Sequence, residues 1–223
     1  MVSISILITS IKDQIKTLNF LKECPVPYEV IISKKRGLGY ARNYAASKAK
    51  GKILVFFDDD LKLNPRIWNI ILKIKPKTFV MEFGSSKIPS TRCLVIHQKD
   101  FVAIGGFSNQ IRLSGEDREF CLNAIKNGMK LFRLPRNLIY HVNHPIRAKK
   151  NRITALMMLF EQAKVVSTYG AIWRNLEGFK LFFFPLPYAK KNKKLLPGLI
   201  FWKLLIRNMM FMFCISFSQK YRN

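Results

Sequence analysis

Ile53–Asp60, ILVFFDDD, is the stretch whose reading decides the fold. Five consecutive apolar residues, β-branched and aromatic among them, predict a strand buried on both faces. The three aspartates that follow stand at its carboxyl end, where open α/β sheets bind ligands. Immediately upstream, RGLGYARNYAASKAKGK (residues 36–52) reads as a basic, glycine-containing turn and an Ala-rich helix that stops at Gly51. Working outward, Ser3–Thr9, Tyr28–Ser33, Thr78–Phe83, Arg92–His97, Lys130–Leu134 and Leu138–His141 have strand patterns. Residues 11–23, 64–74 and 115–127 have helical spacing, and GSSKIPST and Gly105-Gly106-Phe107 read as turns. Strands alternating with helices predict an α/β domain with a mostly parallel sheet and helices on both faces.

The chain has 223 residues, 39 Lys+Arg and 13 Asp+Glu, a net charge of +26. Hydrophobic residues make up 49%, with 18 Phe, which excludes a disordered basic tail protein. The four cysteines, at 24, 93, 121 and 214, include no C-x-x-C pair. That argues against a disulfide scaffold or structural zinc and for a reducing compartment. The N-terminus has no basic n-region or small-residue cleavage site, so no signal peptide is expected.

Charge divides the chain. Residues 1–144 carry 24 basic and 11 acidic side chains, and residues 145–223 carry 15 and 2. Two regions are expected, an α/β domain over 1–145 and a basic, apolar helical region over 146–223. Six of the 13 carboxylates fall in two short windows, Asp58-Asp59-Asp60 and Glu116-Asp117-Glu119. Like charges packed together repel, so each cluster needs a cation to offset the cost.

Carboxylates at a strand end can hold Mg²⁺ or Mn²⁺ and leave positions open for phosphate oxygens. An acidic turn capping the next helix is the plainer alternative for Asp58–Asp60. The glycines of Arg36–Asn43 would let the backbone approach a phosphate at a helix N-terminus; a solvated basic loop is the alternative. Asp117 at a helix start is also a routine cap. His141 and His144 lie at a strand end, where a histidine is more often structural than a ligand.

Together these segments resemble the inverting family 2 glycosyltransferases with the Rossmann-like GT-A fold. The resemblance rests on ILITS, on RGLGYARNYAASKAKGKILVFFDDD, on GGF at 105–107, on GEDREFCLNAIKNG at 115–128 and on YH at 140–141. It covers about residues 1–145 and implies a metal-dependent hexosyltransferase-type enzyme with a nucleotide-sugar donor. Asp58 and Asp60 match the DxD motif and, with Asp60 foremost, would hold the Mn²⁺ or Mg²⁺ that bridges the donor diphosphate, with His141 as a further metal ligand. Asp117 matches the general base, with Glu116 beside it as the alternative. Thr9 would line the nucleoside pocket, and Arg36, Arg42, Asp58 and Asp59 would face the donor. The second strand ends Ser33-Lys34-Lys35, without the acidic residue usual there for base recognition.

In the second region, Lys190, Lys191, Lys193 and Lys194 precede the mostly apolar residues 195–217, which Lys203 and Arg207 interrupt. Cations near the middle of a spanning helix are costly, so a helix lying in the membrane plane is expected, with its lysines toward anionic head groups. Spanning and packing on the catalytic domain are the alternatives. The reading is thus a glycosyltransferase peripheral to the cytoplasmic face of the cell membrane, acting on a glycan or lipid-linked acceptor. A polyprenyl-phosphate sugar synthase is the close variant. A basic nucleic-acid-binding protein is the rival from another class, disfavoured because the clustered carboxylates would repel phosphates.

Overall fold

Alternation along each strand sorts the apolar side chains into two layers, and a sheet buried on both faces results. The computed structural model describes residues 3–83, 89–109, 111 and 115–142. The chain divides into two compact units, Met1–Arg147 and Ala148–Asn223, and the described residues all lie in the first. The expectations for 146–223, and for His144, fall outside them. Among the described residues no helix is long and apolar enough to cross a membrane.

The strands are β1 (Ile4–Thr9), β2 (Tyr28–Ser33), β3 (Ile53–Phe57), β4 (Leu61–Leu63), β5 (Thr78–Phe83), β6 (Pro89–His97), β7 (Lys130–Leu134) and β8 (Ile139–His141). The helices are α1 (Leu38–Lys48), α2 (Ile67–Leu72), α3 (Gln98–Ala103) and α4 (Glu116–Lys126). Six strands form one sheet in the order β2-β1-β3-β6-β5-β7, while β4 and β8 pair separately. β2, β1 and β3 run parallel, as do β5 and β7, and β6 alone is antiparallel to its neighbours. The mostly parallel α/β sheet expected of the GT-A fold is therefore present, with one reversed strand. That reversal positions the site. Phe57, the last residue of β3, pairs with Cys93, so the start of β6 lies at the same rim as the carboxyl ends of β1 and β3.

One face carries Ile4, Ile6, Ile8, Val55, Phe57, Val80 and Val95, packed on Leu21 and on Ile67, Trp68 and Ile71 of α2. The other carries Leu7, Leu54, Phe56, Phe79, Met81, Leu94 and Ile96, packed on Ala45 and Ala46 of α1, Phe101 of α3 and Phe120 of α4. Consecutive residues of β3 thus serve opposite layers, which explains why ILVFF has no polar alternation. Four phenylalanine rings close the second layer: Phe107 lies 4.6 Å from Phe120 and 5.6 Å from Phe56, and Phe101 lies 5.3 Å from Phe56. Edge and offset contacts of this kind each add about 0.5–1.5 kcal/mol beyond burial.

The structure corrects several boundaries. The helix expected over 11–23 is a 3₁₀ helix limited to Lys16–Glu23. The helix expected from Asn64 starts at Ile67, because the Asn64 amide still donates to Leu138 O, 2.9 Å away, beyond the end of β4. β4 and α3, three and six residues long, are too short for periodicity to reveal. β6 begins at Pro89 rather than Arg92, and Arg136–Leu138 is a 3₁₀ turn before β8.

Gly51 lets α1 return to the sheet. A Cβ there would meet the Ser5 amide nitrogen at 2.5 Å, while the Gly51 amide donates to Ser5 Oγ at 2.8 Å. Gly51→Ala should lower unfolding free energy by about 1–3 kcal/mol, the usual range for overpacking. Urea unfolding checks this, with the midpoint falling at an unchanged slope.

Candidate functional site

The rim where β1 and β3 end and β6 begins gathers both acidic clusters. Three consecutive carboxylates follow Phe57, and their backbone is anchored on every carbonyl. Thr17 Oγ1 donates to Asp58 O at 2.7 Å, the Thr17 amide donates to Asp59 O at 3.3 Å, and the Val142 amide donates to Asp60 O at 2.8 Å. The side chains diverge to separate partners. Asp58 Oδ1 is 3.7 Å from Arg42 Nη2. Asp59 accepts from Ser10 Oγ and from Lys12 Nζ at 2.9 Å. Asp60 Oδ1 is 3.0 Å from His141 Nδ1. The repulsion apparent in the sequence is thus relieved by splaying, with one basic partner for each aspartate.

The second cluster begins at Gly115, whose φ of 101° starts α4. Glu116, Asp117 and Glu119 occupy its first turn, where carboxylates complement the helix dipole. Arg42 of α1 reaches them: Nη1 lies 3.2 Å from Glu116 Oε1 and 3.7 Å from Asp117 Oδ1. The Thr91 hydroxyl at the start of β6 donates to Asp117 Oδ1. Nearby, Arg92 donates through Nε and Nη2 to the buried Glu82 carboxylate.

Asn43, next to Arg42, ties α1 to the Gly105-Gly106-Phe107 turn. Its side chain donates to Phe107 O at 2.8 Å and accepts from the Phe107 amide at 2.9 Å. Gly106, at φ +65°, passes close enough that a Cβ would lie 2.7 Å from Asn43 Oδ1. The Phe107 ring, so fixed, lies 5.3 Å from the Arg42 guanidinium carbon.

Burial pushes the Asp58 carboxyl above the ordinary range, against the pull of Arg42. Burial likewise raises Glu116, with Asp117 adding to the shift, and it raises Asp117 while Arg42 and the Thr91 hydrogen bond hold it down. Asp117 is therefore a stronger base than a free carboxylate. The hydrogen bond to Asp59 raises Lys12.

The residues singled out in the sequence are placed as follows. Asp58, Glu116 and Asp117 converge on Arg42, and Asp60 meets His141. Asp59 turns aside to Ser10 and Lys12. Arg42 is only 4% exposed, so it lies beneath the rim rather than open to a nucleotide. Thr9 ends β1 beside Ser33, and Arg36 is exposed in the loop between β2 and α1. Thr91 and Lys12 carry no motif in the sequence, since a hydroxyl and an ammonium group have none by themselves, and Asn43 stands within the Arg36–Asn43 segment with no role of its own assigned by it. Among the described residues no group of three or more His, Cys, Asp or Glu side chains is arranged to hold a metal ion.

Residues 12–111 match the model for the glycosyl transferase family 2 domain. The match takes in the aspartate triplet, Arg42 and the GGF turn and ends before Glu116. No curated protein matches the sequence. Solved structures share the fold. The mannosyltransferase PcManGT from Pyrobaculum calidifontis, in complex with GDP-Man and Mn²⁺, is 12% identical over 98% of this chain and 87% of its own, with a TM-score of 0.56. S. aureus TarS 1-349 in complex with UDP-GlcNAc is 14% identical over 81% and 69%, with a TM-score of 0.55. The catalytic domain of Drosophila β1,4-galactosyltransferase 7, in complex with xylobiose, is 20% identical over 67% and 74%, with a TM-score of 0.51.

Thr91→Val removes the hydroxyl that stabilises the ionised Asp117. The Asp117 carboxyl should then titrate at a higher pH than in the parent protein, and in both it should titrate above 3.8. Carbon-detected NMR titration of the aspartates measures both midpoints.

Proposed function

We propose that the chain, which carries a glycosyl transferase family 2 domain on a GT-A fold, is a glycosyltransferase that transfers a sugar, with inversion, from a nucleotide-sugar donor to a hydroxyl of a membrane-held acceptor. The observation that carries this reading is the separation of tasks at one rim. The Asp60–His141 pair stands after the end of β3, and the half-buried Asp117 stands at the start of α4, its side chain 27% exposed. Asp117 would take the acceptor hydroxyl proton as that oxygen bonds to the anomeric carbon. The bond from that carbon to the diphosphate breaks, and its electrons leave with the nucleoside diphosphate. One base on the far side of the sugar suffices for a single displacement. Glu116, hydrogen-bonded to Arg42 and 7% exposed, is less open to an acceptor than Asp117.

A divalent metal fits the residues present. Asp60 and His141 offer an oxygen and an imidazole nitrogen at one point, a donor set that suits Mn²⁺. Such ions are commonly held by one or two protein groups together with substrate phosphates, which agrees with the lack of a larger ligand group among the described residues. Mn²⁺ or Mg²⁺ would there neutralise the charge that develops on the diphosphate. Asp58 lies near enough to both Asp60 and Arg42 to feel their charge and would face the donor. Thr9 and Arg36, at the ends of β1 and of the β2–α1 loop, would border the nucleoside.

Membrane attachment is supported by the sequence of the second region, with four lysines in residues 190–194 beside a long apolar stretch. A peripheral position on the cytoplasmic face of the cell membrane would bring the rim to a lipid-linked acceptor.

The deciding experiment is a donor screen: purified protein, Mn²⁺ and a panel of UDP and GDP sugars, with released nucleoside diphosphate as the signal. Turnover with none of them, in the presence of acceptor lipids, contradicts the reading. With the donor identified, Asp117→Asn should lower kcat by about 10²–10⁴ and leave nucleotide affinity nearly unchanged. EDTA and Asp60→Ala should each abolish donor turnover, and full activity after removal of all divalent ions would exclude the metal role. The full chain should pellet with anionic vesicles, each lysine near the surface contributing about 1 kcal/mol at low salt. Salt should weaken that binding only in part, because it does not screen apolar burial. Equal binding to neutral vesicles would remove the lysines from the argument.

A further inference from the structure

We propose that Arg42 is a positioning residue: its guanidinium, seated on the Phe107 ring, holds the Asp117 carboxylate against the donor-side Asp58. The inference rests on the reading of Asp117 as the base. Nη1 lies between Glu116 and Asp117, at 3.2 and 3.7 Å, and Nη2 lies 3.7 Å from Asp58. One rigid, planar group thereby links the turn after β3 to the first turn of α4. Its own position is set from the third side. Phe107 lies beneath it, and the neighbouring Asn43 clamps the Phe107 backbone by donating to its carbonyl and accepting from its amide.

Burial argues against direct contact with the donor. At 4% exposure the guanidinium faces carboxylates of the chain, and each arm is already engaged. Asp117 also accepts from the Thr91 hydroxyl, and the cationic Arg118 exerts a charge on it. Without the fork, Asp58 and Glu116 would repel Asp117, and the helix start would shift from the donor turn. Lysine keeps the charge but offers one compact point, which cannot serve both arms.

Arg42→Lys, alone and combined with Asp117→Asn, tests this with released nucleoside diphosphate as the kinetic readout and UDP and GDP binding by calorimetry. Arg42→Lys should lower kcat on the order of 10–100-fold while the donor KM and the nucleoside diphosphate Kd change less than about threefold. In the Asp117→Asn background the same substitution should cost less than about twofold, since nothing remains to be positioned. Multiplicative effects in the double variant overturn the proposal. So does a nucleoside diphosphate Kd that weakens in step with kcat, which would make Arg42 a donor contact. The base reading fails separately, through a full rate in Asp117→Asn alone. Thermal unfolding verifies each variant. If Arg42→Lys does not fold, Phe107→Leu removes the platform without touching charge and should show the same loss of kcat and the same collapse beside Asp117→Asn. An unchanged kcat in that variant overturns the proposal.

Discussion

One buried guanidinium faces carboxylates from two distant parts of the chain, and the arrangement of the rim depends on it. Arg42 is flanked by Asp58, Glu116 and Asp117, only one of which comes within hydrogen-bond distance. Taking such charges out of water costs several kcal/mol per ion unless each finds a partner. The α/β framework meets that demand by bringing three termini to one place: the end of β3, the first turns of α1 and the start of α4. Asp59 and Asp60 are spared the competition because Lys12 and His141 take them. The charge clusters of the sequence thus become, in the folded chain, two pairs at Asp59 and Asp60 and one guanidinium shared among three carboxylates.

Much of the framework was legible because its strands are short apolar runs bounded by turn residues. ILVFF, YEVIIS, TFVMEF and KLFRL fall where their patterns place them. Direction was not legible, since period-2 alternation is the same for a parallel and an antiparallel strand. The reversal of β6 follows from its short connection to β5, which leaves no room for a crossover helix. β4 is three residues long and takes its strand character from pairing with β8, some eighty positions away, so no local signal marks it.

The site divides along the same line. The two acidic clusters stand out because carboxylates are scarce in this chain, and the structure brings both to one rim. What the sequence could not display is which cation answers which anion. Arg42 looked like a phosphate contact because it follows glycines at a helix start; packing on Phe107 and burial redirected it inward. Thr91 became adjacent to Asp117 only through the strand reversal.

The ties that close the rim are long in sequence. Arg42 to Glu116 spans 74 residues, Asn43 to Phe107 spans 64, and Asp60 to His141 spans 81. Contacts of that separation must wait for loop closure, and their entropy is repaid only when the intervening elements are in place. During synthesis, β1, β2, α1 and β3 emerge first, with the aspartate turn still lacking its histidine and the arginine still lacking its second set of carboxylates. The chemistry of the rim is therefore acquired late, when α4 and β8 dock, so a partly folded chain would hold most of a sheet and none of a working site.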